Sequence, residues 1–110
     1  MKSDGFTYQE PLMQTENDKL RYIADHYGLF HQLGNLVEEL NELAMEAADS
    51  VVRGSITDNL ISEIADVEVM LSQIKYLGQI EQADIDAVKA YKINRQIMRI
   101  QREDSNVQMS

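Results

Sequence analysis

Apolar residues recur at intervals of three and four along most of the chain, which is the period of an amphipathic α-helix. Between residues 29 and 53 they fall on one side of a helical projection and comprise Leu29, Leu33, Leu36, Val37, Leu40, Leu43, Ala44 and Ala47. Polar residues follow the edge of that side in a narrow line, called here the polar stripe, which comprises Gln32, Asn35, Glu39, Glu42 and Glu46. The pattern predicts a long helix that buries one side and carries a polar edge.

Capping residues and glycines divide the chain into four predicted helices, so the predicted fold class is all-α. The predicted helices comprise residues 19–26, 29–53, 58–77 and 82–102. Asp18 is the expected N-cap of the first, and Thr57 or Asp58 is the expected cap of the third. Glycines suited to ending helices follow the first three, at Gly28, Gly54 and Gly78. We expect an N-terminal arm over 1–17, a helical domain over 18–103 and a flexible tail over 104–110.

Length and composition limit the kinds of protein this can be. The chain has 110 residues, one proline and no cysteine, which suits a single domain without disulfides or thiolate metal ligands. No apolar run approaches the roughly 20 residues that span a bilayer, so no membrane partner is expected. The N-terminal residues lack the apolar core of a signal peptide, and the expected location is cytoplasmic.

Charge is strongly segregated along the chain. Ten basic residues against 19 acidic ones give a net charge of −9, which is unfavourable for binding nucleic acid. Residues 29–74 contain nine acids and a single base, Arg53, whereas residues 88–102 contain five bases and no acid. We expect the acidic middle and the basic end to face each other or a common ligand.

The third predicted helix carries acids in an apolar setting. Apolar residues surround almost its whole circumference, which is typical of a buried helix, yet Glu63, Asp66 and Glu68 lie in its middle. A buried ionised carboxylate costs several kcal/mol unless it is paired, protonated or bound to a metal. Local conflicts of this kind tend to mark functional sites.

Two carboxylate pairs share one geometry. Glu39 and Glu42 are three residues apart in the second helix, and Glu63 and Asp66 are three apart in the third, so each pair lies on one helix face. An antiparallel hairpin through the Gly54 turn would bring all four together. Hard oxygen ligands select Mg²⁺ or Mn²⁺. Zinc is not expected, because cysteine is absent and neither histidine is predicted to fall near this face; the two histidines are His26 and His31.

The fourth predicted helix carries a basic row. Lys92, Arg95, Arg99 and Arg102 lie within about 80° of one another on a helical projection. Such a row can hold a polyphosphate through charge-assisted hydrogen bonds. Taken singly, the acidic pairs and the basic row also suit ordinary solvated helix faces, and it is their combination that indicates a site.

The same residues resemble a known family. Glu38-Glu39-Leu40-Asn41-Glu42, followed after twenty residues by Glu63-Ile64-Ala65-Asp66, reads as EExxE and ExxD. This two-part motif resembles that of the MazG-like, all-α nucleoside triphosphate pyrophosphatases, in particular the small single-domain members carried by phages. The similarity extends over about residues 20–102 and includes the segments HYG, EELNELAMEA, EIADVEVMLSQIKYL and YKINRQIMRI.

The resemblance implies an activity and a set of site residues. It implies hydrolysis of a (deoxy)nucleoside triphosphate to the monophosphate and pyrophosphate, by a homodimer or tetramer whose helices form a bundle between subunits. It places Mg²⁺, with Mn²⁺ as a possible substitute, on a carboxylate set comprising Glu39, Glu42, Glu63 and Asp66. It assigns substrate binding to Gln32, Lys92, Arg95 and Arg99.

The catalytic role and the function have stated alternatives. Glu38, or alternatively Glu42, is expected to take the proton of the attacking water. A specialised pyrophosphohydrolase of the same superfamily, such as one acting on phosphoribosyl-ATP, is one alternative. A non-catalytic helical module whose acidic face binds a basic partner is the other.

Overall fold

The computed structural model describes residues 15–109 and consists of helices. In chain order they are α1 (Glu16–Tyr27), α2 (Leu29–Arg53), α3 (Asp58–Leu77) and α4 (Gln82–Met109). No strand occurs between residues 15 and 109. The predicted all-α class with four helices is confirmed, and α2 and α3 have the predicted bounds.

The start of α1 differs from the prediction. Thr15, not Asp18, is the N-cap, since its Oγ1 accepts a hydrogen bond from the backbone N of Asp18 at 3.0 Å. The Asp18 carboxylate in turn accepts from the backbone N of Thr15 at 3.3 Å. Asp18 is therefore the third helical residue of a capping box, and the prediction that it is the N-cap is wrong.

The end of α4 also differs from the prediction. The helix continues to Met109, seven residues past the predicted end at Arg102. No glycine or proline follows Arg102, and Gln101, Arg102 and Glu103 all favour helix. The predicted tail over 104–110 thus begins inside the helix. Of the predicted arm over 1–17, residues 1–14 lie outside the described residues.

The chain divides into two compact units, one ending at Gly78 and the other beginning at Gln79. In the first unit α2 packs along α3, and α1 lies mainly against α3. The buried apolar side chains are contributed by α1 and α3 and comprise Ala24, Val67, Met70 and Ile74. The hydroxyl of Tyr76 donates to the carboxylate of Asp25 at 2.9 Å, which ties α3 to α1. The second unit is built on α4.

A short turn makes α2 and α3 antiparallel neighbours. Gly54 ends α2 in the left-handed conformation with φ 73°, which a side chain would disfavour, and its N donates to the carbonyl of Ser50 at 2.9 Å. Thr57 then caps α3 by accepting from the backbone N of Leu60 at 3.1 Å. The turn fixes which residues of the two helices lie opposite each other.

Large apolar side chains remain exposed on the first unit. Phe30 and Val52 are each 85% exposed, and Val51 is 81% exposed. None of the helices between residues 15 and 109 combines the length and the apolar character that crossing a membrane requires.

Candidate functional site

Three carboxylates meet where α2 and α3 pack. Glu39 of α2 and Glu63 and Asp66 of α3 each place a carboxylate oxygen within 4.8 Å of the other two. All three side chains are half-buried. This group, called here the acid triad, brings together three of the four carboxylates that the sequence predicts to converge.

The remaining predicted acids border the triad. Glu42 is exposed and lies outside the group of three, although its charge raises the pKa of both Glu39 and Glu63. Glu38 is exposed on α2 beside Glu39, and its charge also raises the pKa of Glu39. Both side chains are exposed and are therefore accessible to water.

Burial and mutual repulsion both act on the acid triad. Burial is the main cause that raises the pKa of Glu63, followed by the charges of Asp66 and Glu39. Burial likewise raises the pKa of Glu39, followed by the charge of Asp66. Among the described residues Oε2 of Glu63 is buried and has no hydrogen-bond partner. A cation among the carboxylates would give that oxygen a partner, and its attraction for the three negative charges would offset their mutual repulsion.

A second polar cluster lies on the same helix pair, toward the N-terminus of α2. Gln32 and Gln73 are 2% and 1% exposed, and Nε2 of Gln32 donates to Oε1 of Gln73 at 2.7 Å. Nε2 of Gln73 donates to the carbonyl oxygen of Val69 at 3.3 Å. Oε1 of Gln32 accepts from Nδ2 of Asn35 at 2.8 Å and lies 2.9 Å from Nδ1 of His31. We call Gln73, Gln32, Asn35 and His31 the amide network.

His31 lies beside the polar stripe, since its Nδ1 is 2.9 Å from Oε1 of Gln32. It is not part of the acid triad. Its ring also stacks on that of Tyr27, with centroids 4.6 Å apart and planes 16° apart. His31 is exposed, and its ring contacts two residues, Gln32 and Tyr27.

The predicted substrate-binding residues fall into two groups. Gln32 is buried and hydrogen-bonded to Gln73 and Asn35, and its binding of substrate stays a prediction. The basic side chains of α4 are exposed, and the guanidinium of Arg95 lies 5.8 Å from the ring centroid of Tyr91. That Lys92, Arg95 and Arg99 bind phosphate stays a prediction.

The amide network as a unit is not predicted by the sequence pattern. The sequence signal for this network is Gln73, a polar residue among apolar ones. It follows Asp66 by seven residues, which is two helical turns, so both lie on the same side of α3. A glutamine in that position needs a buried partner. Gln32, seven residues before Glu39 on the facing helix, is the matching one.

Comparisons with known protein families, with curated proteins and with solved structures give no match to this chain.

Proposed function

We propose that the protein is a Mg²⁺-dependent nucleoside triphosphate pyrophosphohydrolase that cleaves a (d)NTP to the monophosphate and pyrophosphate. The observation that carries the proposal is the acid triad with its unpartnered, buried Glu63 oxygen. Three carboxylates held this close oppose folding unless a positive charge joins them. The EExxE and ExxD resemblance supplies the reaction, and the triad contains one acid of the first motif and both of the second.

The donor set fits the metal. Carboxylate oxygens are hard ligands, which suit Mg²⁺ and also Mn²⁺, and no histidine takes part in the acidic group among the described residues. Glu39, Glu63 and Asp66 would hold the ion, and the exposed Glu42 would be a fourth ligand. When bound, Mg²⁺ supplies positive charge that withdraws electron density from the phosphate oxygens.

The exposed acids and the basic helix take the remaining roles. Glu38, or alternatively Glu42, accepts the proton of the water that attacks the α-phosphorus, because both side chains are open to solvent beside the triad. The bond from that phosphorus to the bridging oxygen breaks, and pyrophosphate leaves. The proposal assigns charge neutralisation on the leaving group to Lys92, Arg95 and Arg99, which share one side of α4.

The proposal includes assembly into a dimer or tetramer. Exposed apolar side chains on α2, among them Phe30 and Val52, would be covered by helices of a second copy in a bundle between subunits. Size-exclusion chromatography with light scattering checks this at micromolar concentration. A monomeric mass would contradict the assembly and leave the chemistry to be tested separately.

The decisive experiment measures pyrophosphate release from a panel of ribo- and deoxyribonucleoside triphosphates, with Mg²⁺ and with EDTA, and identifies the products. We expect Mg²⁺-dependent formation of monophosphate and pyrophosphate. Phosphoribosyl-ATP belongs in the panel, because hydrolysis of it alone would indicate the specialised enzyme. Release from no substrate at high protein concentration would contradict the proposal and favour the non-catalytic acidic module.

A further inference from the structure

A backbone carbonyl fixes which atoms donate and which accept along the amide network. The carbonyl oxygen of Val69 can only accept, so Gln73 must turn its Nε2 toward it. Oε1 of Gln73 then faces Gln32 and can only accept, which turns Nε2 of Gln32 inward. The outer atom of Gln32 is consequently its Oε1, an acceptor, and it meets both Asn35 and His31.

This direction selects one tautomer of His31. An oxygen at 2.9 Å from Nδ1 requires a hydrogen on Nδ1. Nδ2 of Asn35 lies 3.4 Å from the same Nδ1, and these are two donors that share the Gln32 oxygen. In the neutral imidazole the hydrogen on Nδ1 leaves Nε2 as a bare acceptor. The hydrogen bonds of these two residues within 15–109 use Nδ1 of His31 and Nδ2 of Asn35, which leaves Nε2 of His31 and Oδ1 of Asn35 open as acceptors.

A helical projection puts His31 and Asn35 on the same side of α2 as two acids of the proposed site. His31, Asn35, Glu38 and Glu42 fall within about 60° of one another around α2. Asn35 and His31 precede Glu39 by about 6 and 12 Å along the helix axis. The separation is of the order of that between the phosphates and the base of an extended nucleotide.

We infer that His31 and Asn35 contact the base of the nucleotide and favour a base with an exocyclic amino group over one with a carbonyl at that position. The inference rests on the proposed function, because it takes a nucleotide as the ligand of this site. An amino group offers two hydrogens to two acceptors, whereas a carbonyl oxygen would face them with no hydrogen between. Gln73 and Gln32 are positioning residues, which act through His31.

Cytosine and uracil nucleotides form the matched probe, since at C4 one has an amino group and the other a carbonyl. We expect dCMP to bind more tightly than dUMP, by about tenfold, when His31 and Asn35 resonances are followed by NMR. The same order is expected for dCTP over dUTP in kcat/KM. Equal binding, or tighter binding of dUMP, would overturn the inference even if both triphosphates are hydrolysed. Preferential dCMP binding without any hydrolysis would uphold the inference and contradict the proposed function.

His31→Lys tests the acceptor directly. Lysine offers only donors, so we expect the preference to reverse toward uracil. His26→Lys makes the same charge change at an exposed position of α1 and should leave the preference unchanged. A retained cytosine preference in His31→Lys would overturn the assignment.

The tautomer provides a readout that does not depend on catalysis. We expect ¹⁵N spectra of His31 in the wild-type protein to report the hydrogen on Nδ1. In Gln73→Leu the Gln32 amide loses its fixed orientation, and we expect a mixture of tautomers. A hydrogen on Nε2 in the wild type would overturn the inference whether or not Gln73→Leu folds.

Discussion

The acid triad and the amide network occupy the same pair of helices and solve the burial of polar groups in opposite ways. In the amide network each donor between α2 and α3 finds an acceptor, and the chain of hydrogen bonds ends on a backbone carbonyl. In the acid triad three acceptors meet with no donor between them, and one oxygen of Glu63 is left buried without a partner. The buried pair of the first cluster, Gln32 with Gln73, is completed by groups of the protein itself, whereas the second cluster would be completed by a cation.

The difference separates two contributions to the free energy of unfolding. A satisfied buried amide pair stabilises the helix packing and specifies its register. Crowded carboxylates reduce the stability of the cation-free fold, and a bound cation would restore that stability. Changes of similar size at the two clusters should therefore have effects of opposite sign, and the following predictions test this in order of decreasing effect.

Asp66→Asn should give the largest effect, on turnover and stability in opposite directions. Loss of one triad carboxylate weakens the cation site, and we expect hydrolysis to fall by about 100-fold or more. In EDTA the same variant should melt at a higher temperature than the wild type, because one repelling charge is gone. Glu68→Gln removes an exposed charge of α3 outside the triad and serves as the control. A lower melting temperature for Asp66→Asn in EDTA would contradict a repulsive cluster.

Added Mg²⁺ should stabilise the wild-type protein. A ligand that binds only the folded state adds about 2.7 kcal/mol at a concentration 100 times its Kd. We expect a rise of several degrees in Tm for the wild type, a much smaller rise for Asp66→Asn, and a wild-type response for Gln73→Leu. Thermal melts with Mg²⁺ and with EDTA measure all three. An equal rise in Asp66→Asn would place the ion elsewhere.

Gln73→Leu should destabilise the fold by about 1–3 kcal/mol, because Nε2 of Gln32 is left buried without its acceptor. The double variant Gln32→Leu with Gln73→Leu removes both partners and should recover much of that loss. Chemical denaturation of the single and double variants, both in EDTA, measures the coupling. Additive losses would show that the two glutamines do not act as a pair.

The pH dependence should be the smallest effect. Burial and neighbouring charges raise the pKa of Glu39 and Glu63 above 4.5, so the folded protein binds protons at these sites more tightly than the unfolded chain does. Their contribution to stability is therefore fully present below pH 4.5 and is lost as the pH rises through the raised values. In EDTA we expect Glu63→Gln to gain stability relative to the wild type as the pH rises. A difference that is constant with pH would argue against the raised pKa.

The sequence predicts the fold well where its signals are local. Gly54 marks the end of α2, and the two candidate caps of α3, Thr57 and Asp58, are adjacent, so α2 and α3 are predicted with their observed bounds. Thr15 and Asp18 are both good N-caps, and only the reciprocal hydrogen bonds reveal which is the cap. The end of α4 was set too early because the apolar pattern weakens after Arg102 while helix-forming residues continue.

The candidate site also contains one part that local sequence signals predict and one part that they do not. The convergence of Glu39 with Glu63 and Asp66 follows from residue spacing and one hairpin, both of which can be read from sequence. The role of Gln32 could not be read in this way. Its neighbours are set by which atom of Gln73 faces inward, and that depends on a backbone carbonyl one turn away.

The turn at Gly54 has a consequence for how the chain can vary. Gln32 and Glu39 are seven residues apart on α2, and Asp66 and Gln73 are seven apart on α3, so both clusters share one alignment of the helices. A single residue inserted in the turn, if absorbed by α3, would rotate that helix by about 100° and dismantle both clusters together. We therefore expect the number of residues in this connection to be constrained as strongly as the identities of Gly54 and Thr57.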